Sequence, residues 1–408
     1  MMKKLCVLMA LVLLLCQLPM AAMAETETET WVVVMNGNKP AKGVIDPPDW
    51  PVDGDYVYSS ADDKLELLES GLTVRAAKAS DSPEDTLLIQ EIVCYVSGPN
   101  DPTFEVTLSG VKLTSYSPLR INGTDDSEDP EDWGNAKLYI EGETTLNTTD
   151  YMAIECWYAN LTIDTAENAS LQLQGDAGLP ALKAGKLVID GDNITVTGGS
   201  VSGGNYGFAG DAVNADRVVI NGSNITLTGG SVAVVNVNTY MLAGMGISPN
   251  ESSFQNSSLT INGDNVRISG GSASRSSVVD SDRSVPAILY DTVTINGYGL
   301  LANGGAEDVP AINADKIILK KEAQESDDGA SWVAAQIVST PDEGSFTKRY
   351  FRTGENPVSI PGDPSVSAAG APNVPTTGDG ANLALWTLLL AASAAAFVLL
   401  SRKAVKEQ

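Results

Sequence analysis

Residues 181–230 state one pattern twice, and that repetition limits the folds open to the chain. The first copy reads ALKAGKLVIDGDNITVTGG from Ala181, and the second reads AVNADRVVINGSNITLTGG from Ala212. Looser copies follow: SLTINGDNVRISGG from Ser258 to Gly271, TVTING from Thr292 to Gly297, and AINADKIIL from Ala311 to Leu319. An earlier one, AIECWYANLTID, runs from Ala153 to Asp164. The marker alanines are 28 residues apart from Ala153 to Ala181 and 31 from there to Ala212; 75 residues then lead to Ala287 and 24 more to Ala311.

Within each copy the apolar residues alternate. Leu187 and Ile189, Val218 and Ile220, Leu259 and Ile261, and Val293 and Ile295 share one parity. Period 2 in β-branched residues means strands, and the Gly and Asn that close them are turn formers. A repeat this short, made only of strands and turns, cannot bury its apolar side alone, so copies must stack. The expected fold is all-β: a right-handed, single-stranded parallel β-helix. About ten coils would stack at a spacing of ~4.8 Å, with right-handed crossovers. Stacking places Asn193, Asn224 and Asn265 above one another as an amide ladder.

Composition narrows the chemistry. The 408 residues hold 25 Lys and Arg against 52 Asp and Glu, a net charge of −27. Repulsion disfavours nucleic acid and anionic membrane surfaces as partners of so acidic a chain. The acidity serves solubility or cation binding. Histidine is absent, which removes imidazole catalysis and His-ligated metals. Of the four cysteines, Cys6 and Cys16 fall in the leader. Cys94 and Cys156 each sit in an apolar strand, as a disulfide or as two buried thiols.

The ends read as export and anchoring. Residues 1–24 form a signal peptide: Lys3 and Lys4, an apolar run, then Ala22-Met23-Ala24. Residues 25–60 are an N-terminal cap or disordered segment, with a first strand at 31–35. Residues 61–353 carry the repeats, with capping strands expected in SWVAAQIVST and FTKRYFRT. Residues 354–380 are a Pro/Gly/Ala/Ser tether. Residues 381–401 are apolar and long enough to span a bilayer as a helix, and 402–408 form a basic tail, placed inside by its charge.

Two resemblances add to this. FEVTLSGVKLTSYSPLRING followed by AKLYIEGETTLNTTDYMAIECWYANLTID, residues 104–164, resembles the carbohydrate-binding β-helix domains of clostridial cell-surface proteins. The likeness covers roughly residues 65–320. It implies a pectate-lyase-like fold, binding of cellulose or acidic polysaccharides, and bound calcium. Val374-Pro375-Thr376-Thr377-Gly378, the apolar span and the basic tail together resemble a Gram-positive cell-wall sorting signal, with Val374 where Leu is usual. That likeness implies sortase cleavage after Thr377 and attachment to peptidoglycan. A plain C-terminal membrane anchor is the alternative. Either puts the repeats outside the cell.

Candidate site residues lie in the loops. Asp125, Asp126, Glu128 and Asp129 crowd the segment NGTDDSEDPEDWG with Glu131 and Asp132. Their carboxylates suit calcium, or form a solvated acidic loop. Trp133 follows as a sugar-stacking ring or a packing residue. About ten extra residues between the copies at Gly222 and Gly263 form an expected loop near residues 236–255. Tyr240 lies there, with Tyr206 and Phe208 in the preceding coil; they would stack on a polysaccharide or fill the core. The leading functional expectation is a surface-anchored, non-catalytic carbohydrate-binding protein or adhesin, using outward Thr195, Thr197, Thr226 and Thr228. A polysaccharide lyase or hydrolase on the same scaffold is the second, with Arg267, Arg275 and Arg283 its loose basic group. A structural or protein-binding stalk is the third.

Overall fold

The computed structural model describes residues 30–47, 52–123, 130–202, 207–234, 241–250, 255–275, 282–306, 308–336, 338–340 and 344–354. The chain divides into two units, residues 1–359 and 360–408, and the second lies outside the described residues. So do the predicted signal peptide, sorting motif and membrane span. Among the described residues, no helix is long and apolar enough to cross a membrane.

The described chain is all-β and solenoid-like. Its only helical pieces among the described residues are two 3-10 turns, Pro83–Asp85 and Pro130–Asp132. Strands from successive repeats pair parallel and in register. The long strand Leu182–Ile189 shows how one coil is built. Its first half pairs with Ile154–Trp157 and its second half with Ala159–Thr165, so it lays down two faces. A turn then leads to Ile194–Thr197 on the third face.

Each face buries its apolar side chains in inward columns. On the first face the column runs Leu65, Ile92, Leu119, Ile154, Leu182, Val213, Ile247, Ile288 and Ile312, register to register. All nine are fully buried. The second face aligns Val106, Leu138, Ile163, Ile189, Ile220, Ile261, Ile295 and Leu319. The third aligns Leu113, Leu146, Leu173, Val196, Leu227, Ile268 and Ala302. Burying one such Leu, Ile or Val stabilises by roughly 1.5–3 kcal/mol, and a lone coil has nothing to bury it against.

The marker alanines explain themselves. Ala153, Ala181, Ala212, Ala287 and Ala311 all lie fully buried just before a first-face strand. The gap of 75 residues hides one more coil, in which Gly246 replaces Ala. Gly246 O accepts from Val213 N, and the next residue, Ile247, donates to Ala287 O. A Cβ on Gly246 would stand 2.4 Å from Ile268 Cγ2, so alanine does not fit there.

The ten extra residues of this coil split between two corners. Three fall between Val232 and Met241, by comparison with Val201 and Gly207, and seven between Ser248 and Ser258, by comparison with Asn214 and Arg217. The first group belongs to an outgrowth shared by three coils. Val201–Ser202, Val232–Val234 and Ala273–Arg275 pair as one small sheet, and Gly207–Phe208, Met241–Leu242 and Asp282–Arg283 as another.

The corner between the second and third faces is held by side-chain amides. Asn193, Asn224 and Asn265 adopt positive φ of 57°, 58° and 55°, a conformation Asn tolerates. Asn224 Nδ2 donates to Asn193 Oδ1 at 3.2 Å, and Asn265 Nδ2 to Asn224 Oδ1 at 2.7 Å. A second ladder runs beside it through Asp190, Asn221, Asn262 and Asn296. Its Asn-Gly pairs read in the sequence only as turns.

Both ends of the stack are covered. Thr30–Asn36 lies antiparallel to Leu72–Ala76 and Leu87–Ile89. At the other end Tyr350–Thr353 lies antiparallel to Leu301–Asn303, and Gly344–Phe346 to Ile312–Leu319. Cys94 and Cys156 are free buried thiols. Ile121 stands between them in register, so they sit two strand spacings apart, ~9.6 Å, beyond disulfide reach. Burial alone pushes the Cys94 thiol up to about 12.

Candidate functional site

The third face presents two outward rows. Between its inward Leu and Ile residues stand Lys112, Thr145, Gln172, Thr195, Thr226, Arg267 and Leu301 in one row. The other row is Thr114, Asn147, Gln174, Thr197, Thr228, Ser269 and Asn303. Seven successive coils thus place an uncharged hydroxyl or amide at the same point. Coil spacing fixes these groups ~4.8 Å apart.

The two kinds of amide row are used differently. Corner amides bond to one another from coil to coil. On the face, the seven residues of the second row make a single side-chain hydrogen bond among the described residues, Gln174 Nε2 donating to Gly175 O at 3.1 Å. The Asn147 and Asn303 Oδ1 atoms are buried acceptors without a partner. Apart from those two buried atoms, the half-buried hydroxyls and amides of the row make no further side-chain hydrogen bond among the described residues. The row continues into the cap, where Asn303 pairs with Tyr350 and Leu301 with Arg352. Arg352 donates to Gln324 Oε1 from Nε and Nη2 at 2.9 and 2.7 Å, and its guanidinium lies 4.1 Å over the Trp332 ring.

The predicted site residues scatter. Asp125, Asp126, Glu128, Asp129, Tyr206 and Tyr240 lie outside the described residues. Phe208 is exposed on the outgrowth, in register with Leu242 and Arg283. Trp133 lies against the strand at Gly185: a Cβ there would stand 2.1 Å from its ring. It also meets Tyr158 edge-on at 5.6 Å, so it pins its loop down. Glu131, from the same acidic loop, pairs with both Lys186 and Arg217 on adjacent second-face strands. No group of three or more metal-ligating residues occurs among the described residues. Arg267, Arg275 and Arg283 fall within one coil, not on successive coils.

Sequence reasoning missed a second cluster, on the outside of the first face. Glu66, Val93, Arg120, Glu155 and Lys183 stand in register on five successive coils. Arg120 Nη2 lies 3.4 Å from Glu91 Oε1, and its Nε lies 3.3 Å from Glu155 Oε2. The Glu155 side chain is only 1% exposed, and neither of its oxygens makes a well-aligned hydrogen bond. Burial raises the Glu91 carboxyl and the Tyr151 phenol above their ordinary values. Aromatic rings flank the row. Tyr116 stacks on Tyr151 at 5.7 Å, Trp157 touches Tyr158 at 6.3 Å, and Lys183 Nζ lies 4.6 Å over the Trp157 ring. Alternation marked these residues as outward, but only stacking brings residues 27 to 35 positions apart together.

No family model, no curated protein and no solved structure matches the chain.

Proposed function

We propose that this chain is a non-catalytic carbohydrate-binding protein whose third face receives an extended polysaccharide across the coils. The carrying observation is the row from Thr114 to Asn303, seven coils of uncharged polar groups with one internal hydrogen bond among them. Sugar hydroxyls both donate and accept, which suits such a row. Each contact adds about 1 kcal/mol net, so affinity comes from many coils engaged at once. Phe208, exposed on the outgrowth, supplies a ring that would stack on a sugar.

The coils form a right-handed parallel β-helix, the hand that crossovers between parallel strands almost always take. The signal peptide exports the chain. The Val374–Gly378 motif and the following span hold it at a Gram-positive surface, through a sortase or as a membrane anchor. The acidic loop at Asp125, Asp126, Glu128 and Asp129 takes calcium. A glycan array, run with and without calcium, tests the function. Binding to a plant or host polysaccharide supports it, and silence across neutral and acidic polysaccharides removes it.

A further inference from the structure

We propose that Asn36 is a self-modification site, where the side-chain amide is lost spontaneously to give aspartate and isoaspartate. This is independent of the carbohydrate reading and concerns the N-terminal cap.

Asparagine followed by glycine is the pair most open to this chemistry, because no side chain on the second residue shields its amide. The chain has six such pairs, beginning at Asn36, Asn122, Asn221, Asn262, Asn296 and Asn303. The glycine backbone nitrogen, once deprotonated, attacks the asparagine Cγ. The new N–Cγ bond closes a five-membered succinimide, the Cγ–Nδ2 bond breaks, and ammonia leaves. Water then opens the ring at either carbonyl, to aspartate or isoaspartate. The glycine N–H must be free for this, and the chain around it must have room to turn.

Five of the pairs are confined. A Cβ on Gly123 would lie 1.8 Å from Tyr158 O. On Gly222, Gly263, Gly297 and Gly304 it would lie 1.8, 1.8, 2.0 and 2.2 Å from a backbone oxygen. The last four also spend their N–H groups. Gly222, Gly263 and Gly297 donate to Ile189 O, Ile220 O and Ile261 O at 3.0, 3.0 and 3.2 Å, and Gly304 to Arg349 O at 2.8 Å. The side-chain amides of Asn221, Asn262 and Asn296 are tied into the corner ladder. The ladder thus guards its own Asn-Gly pairs.

Asn36 differs on each count. It faces Lys39 across a two-residue turn, Gly37-Asn38, and only Gly37 has positive φ, 59°, as a type II′ hairpin needs. All four residues are exposed. A Cβ on Gly37 would meet no atom within 4 Å, and among the described residues Gly37 N donates no hydrogen bond. Pairing with Leu72–Ala76 stops at Met35, so the tip can open without disturbing the cap. Conversion puts a negative charge beside Lys39. The isoaspartate form also adds a methylene to the main chain, which loosens the Asn36–Lys39 pair and leaves Val32–Met35 in place.

Peptide mapping by mass spectrometry tests this, on the full chain aged in mildly alkaline buffer with and without urea. In the folded chain Asn36 takes on the mass of the acid at least about tenfold faster than the other five, which react only from an opened coil. In urea the six rates come together. The modified peptide accepts a methyl group from an isoaspartyl methyltransferase. An acidic isoform grows on anion exchange and is missing from Asn36→Gln, whose melting temperature matches wild type. An Asn36 amide that survives as long as those of the ladder, or an acidic isoform that persists in Asn36→Gln, overturns the proposal. A preference for Asn36 that remains in urea overturns it as well, because the fold would then not be its cause.

Discussion

Asn262 and Asn221 sit one coil apart, and Asn262 Nδ2 donates to Asn221 Oδ1 at 2.7 Å while Asn262 Oδ1 accepts from Asn296 Nδ2 at 2.6 Å. One side chain therefore ties three coils together. Asn262→Ala removes both bonds and leaves Asn221 and Asn296 short of a partner. The expected loss is about 1–3 kcal/mol, read from the urea midpoint. Asn262→Asp, which offers no donor to Asn221, should lose more than half of the alanine effect.

At the same corner Gly263 packs directly on the coil before it. A Cβ there would lie 1.8 Å from Gly222 O, a backbone atom that cannot swing away. Gly263→Ala should abolish cooperative unfolding or lower the melting temperature by far more than Asn262→Ala. Gly98, where a Cβ meets only an Asp101 oxygen at 4.0 Å, is the matched control and should tolerate alanine. Circular dichroism melts distinguish the two.

Acid should act through Asp81. Arg75 Nη1 and Nη2 donate to its two oxygens at 2.7 Å each, and Lys78 N adds a third bond at 2.6 Å. The Arg75 hydrogen bonds, then the Lys78 backbone amide, hold the carboxyl down at about 2. The unfolded group titrates near ~3.9. Its contribution is thus complete above the unfolded value and vanishes as pH falls through about 2. Wild type should be more stable than Asp81→Asn at neutral pH, and the two should converge as the pH approaches 2. Urea midpoints across that range test the sign.

Much of this was legible in the residues. Alternation at Leu187, Ile189, Val218 and Ile220 gave strands, and the spacing of the copies gave stacking; the Asn193, Asn224 and Asn265 ladder followed from both. Gly246 hid a coil because it replaces the marker alanine where no Cβ fits. The ladder through Asn221 and Asn262 hid because Asn-Gly is also an ordinary turn signal. The functional side chains were harder. Loops drew notice for their aromatic and acidic residues, yet Trp133 packs on Gly185 and Glu131 pairs with Lys186 and Arg217. The Arg120 and Glu155 pairing needed the register, since one residue alone in a strand says nothing about the coil above it.

The most direct measurement is the affinity of the full chain for the polysaccharide that gives the strongest array signal, compared with the double variant Thr197→Val and Thr228→Val. Valine keeps the shape of the face and removes two adjacent hydroxyls from the row. Binding should weaken by about 2 kcal/mol, ~30-fold, with the melting temperature unchanged. Undiminished binding by a folded double variant would contradict the assignment of the third face as the receptor.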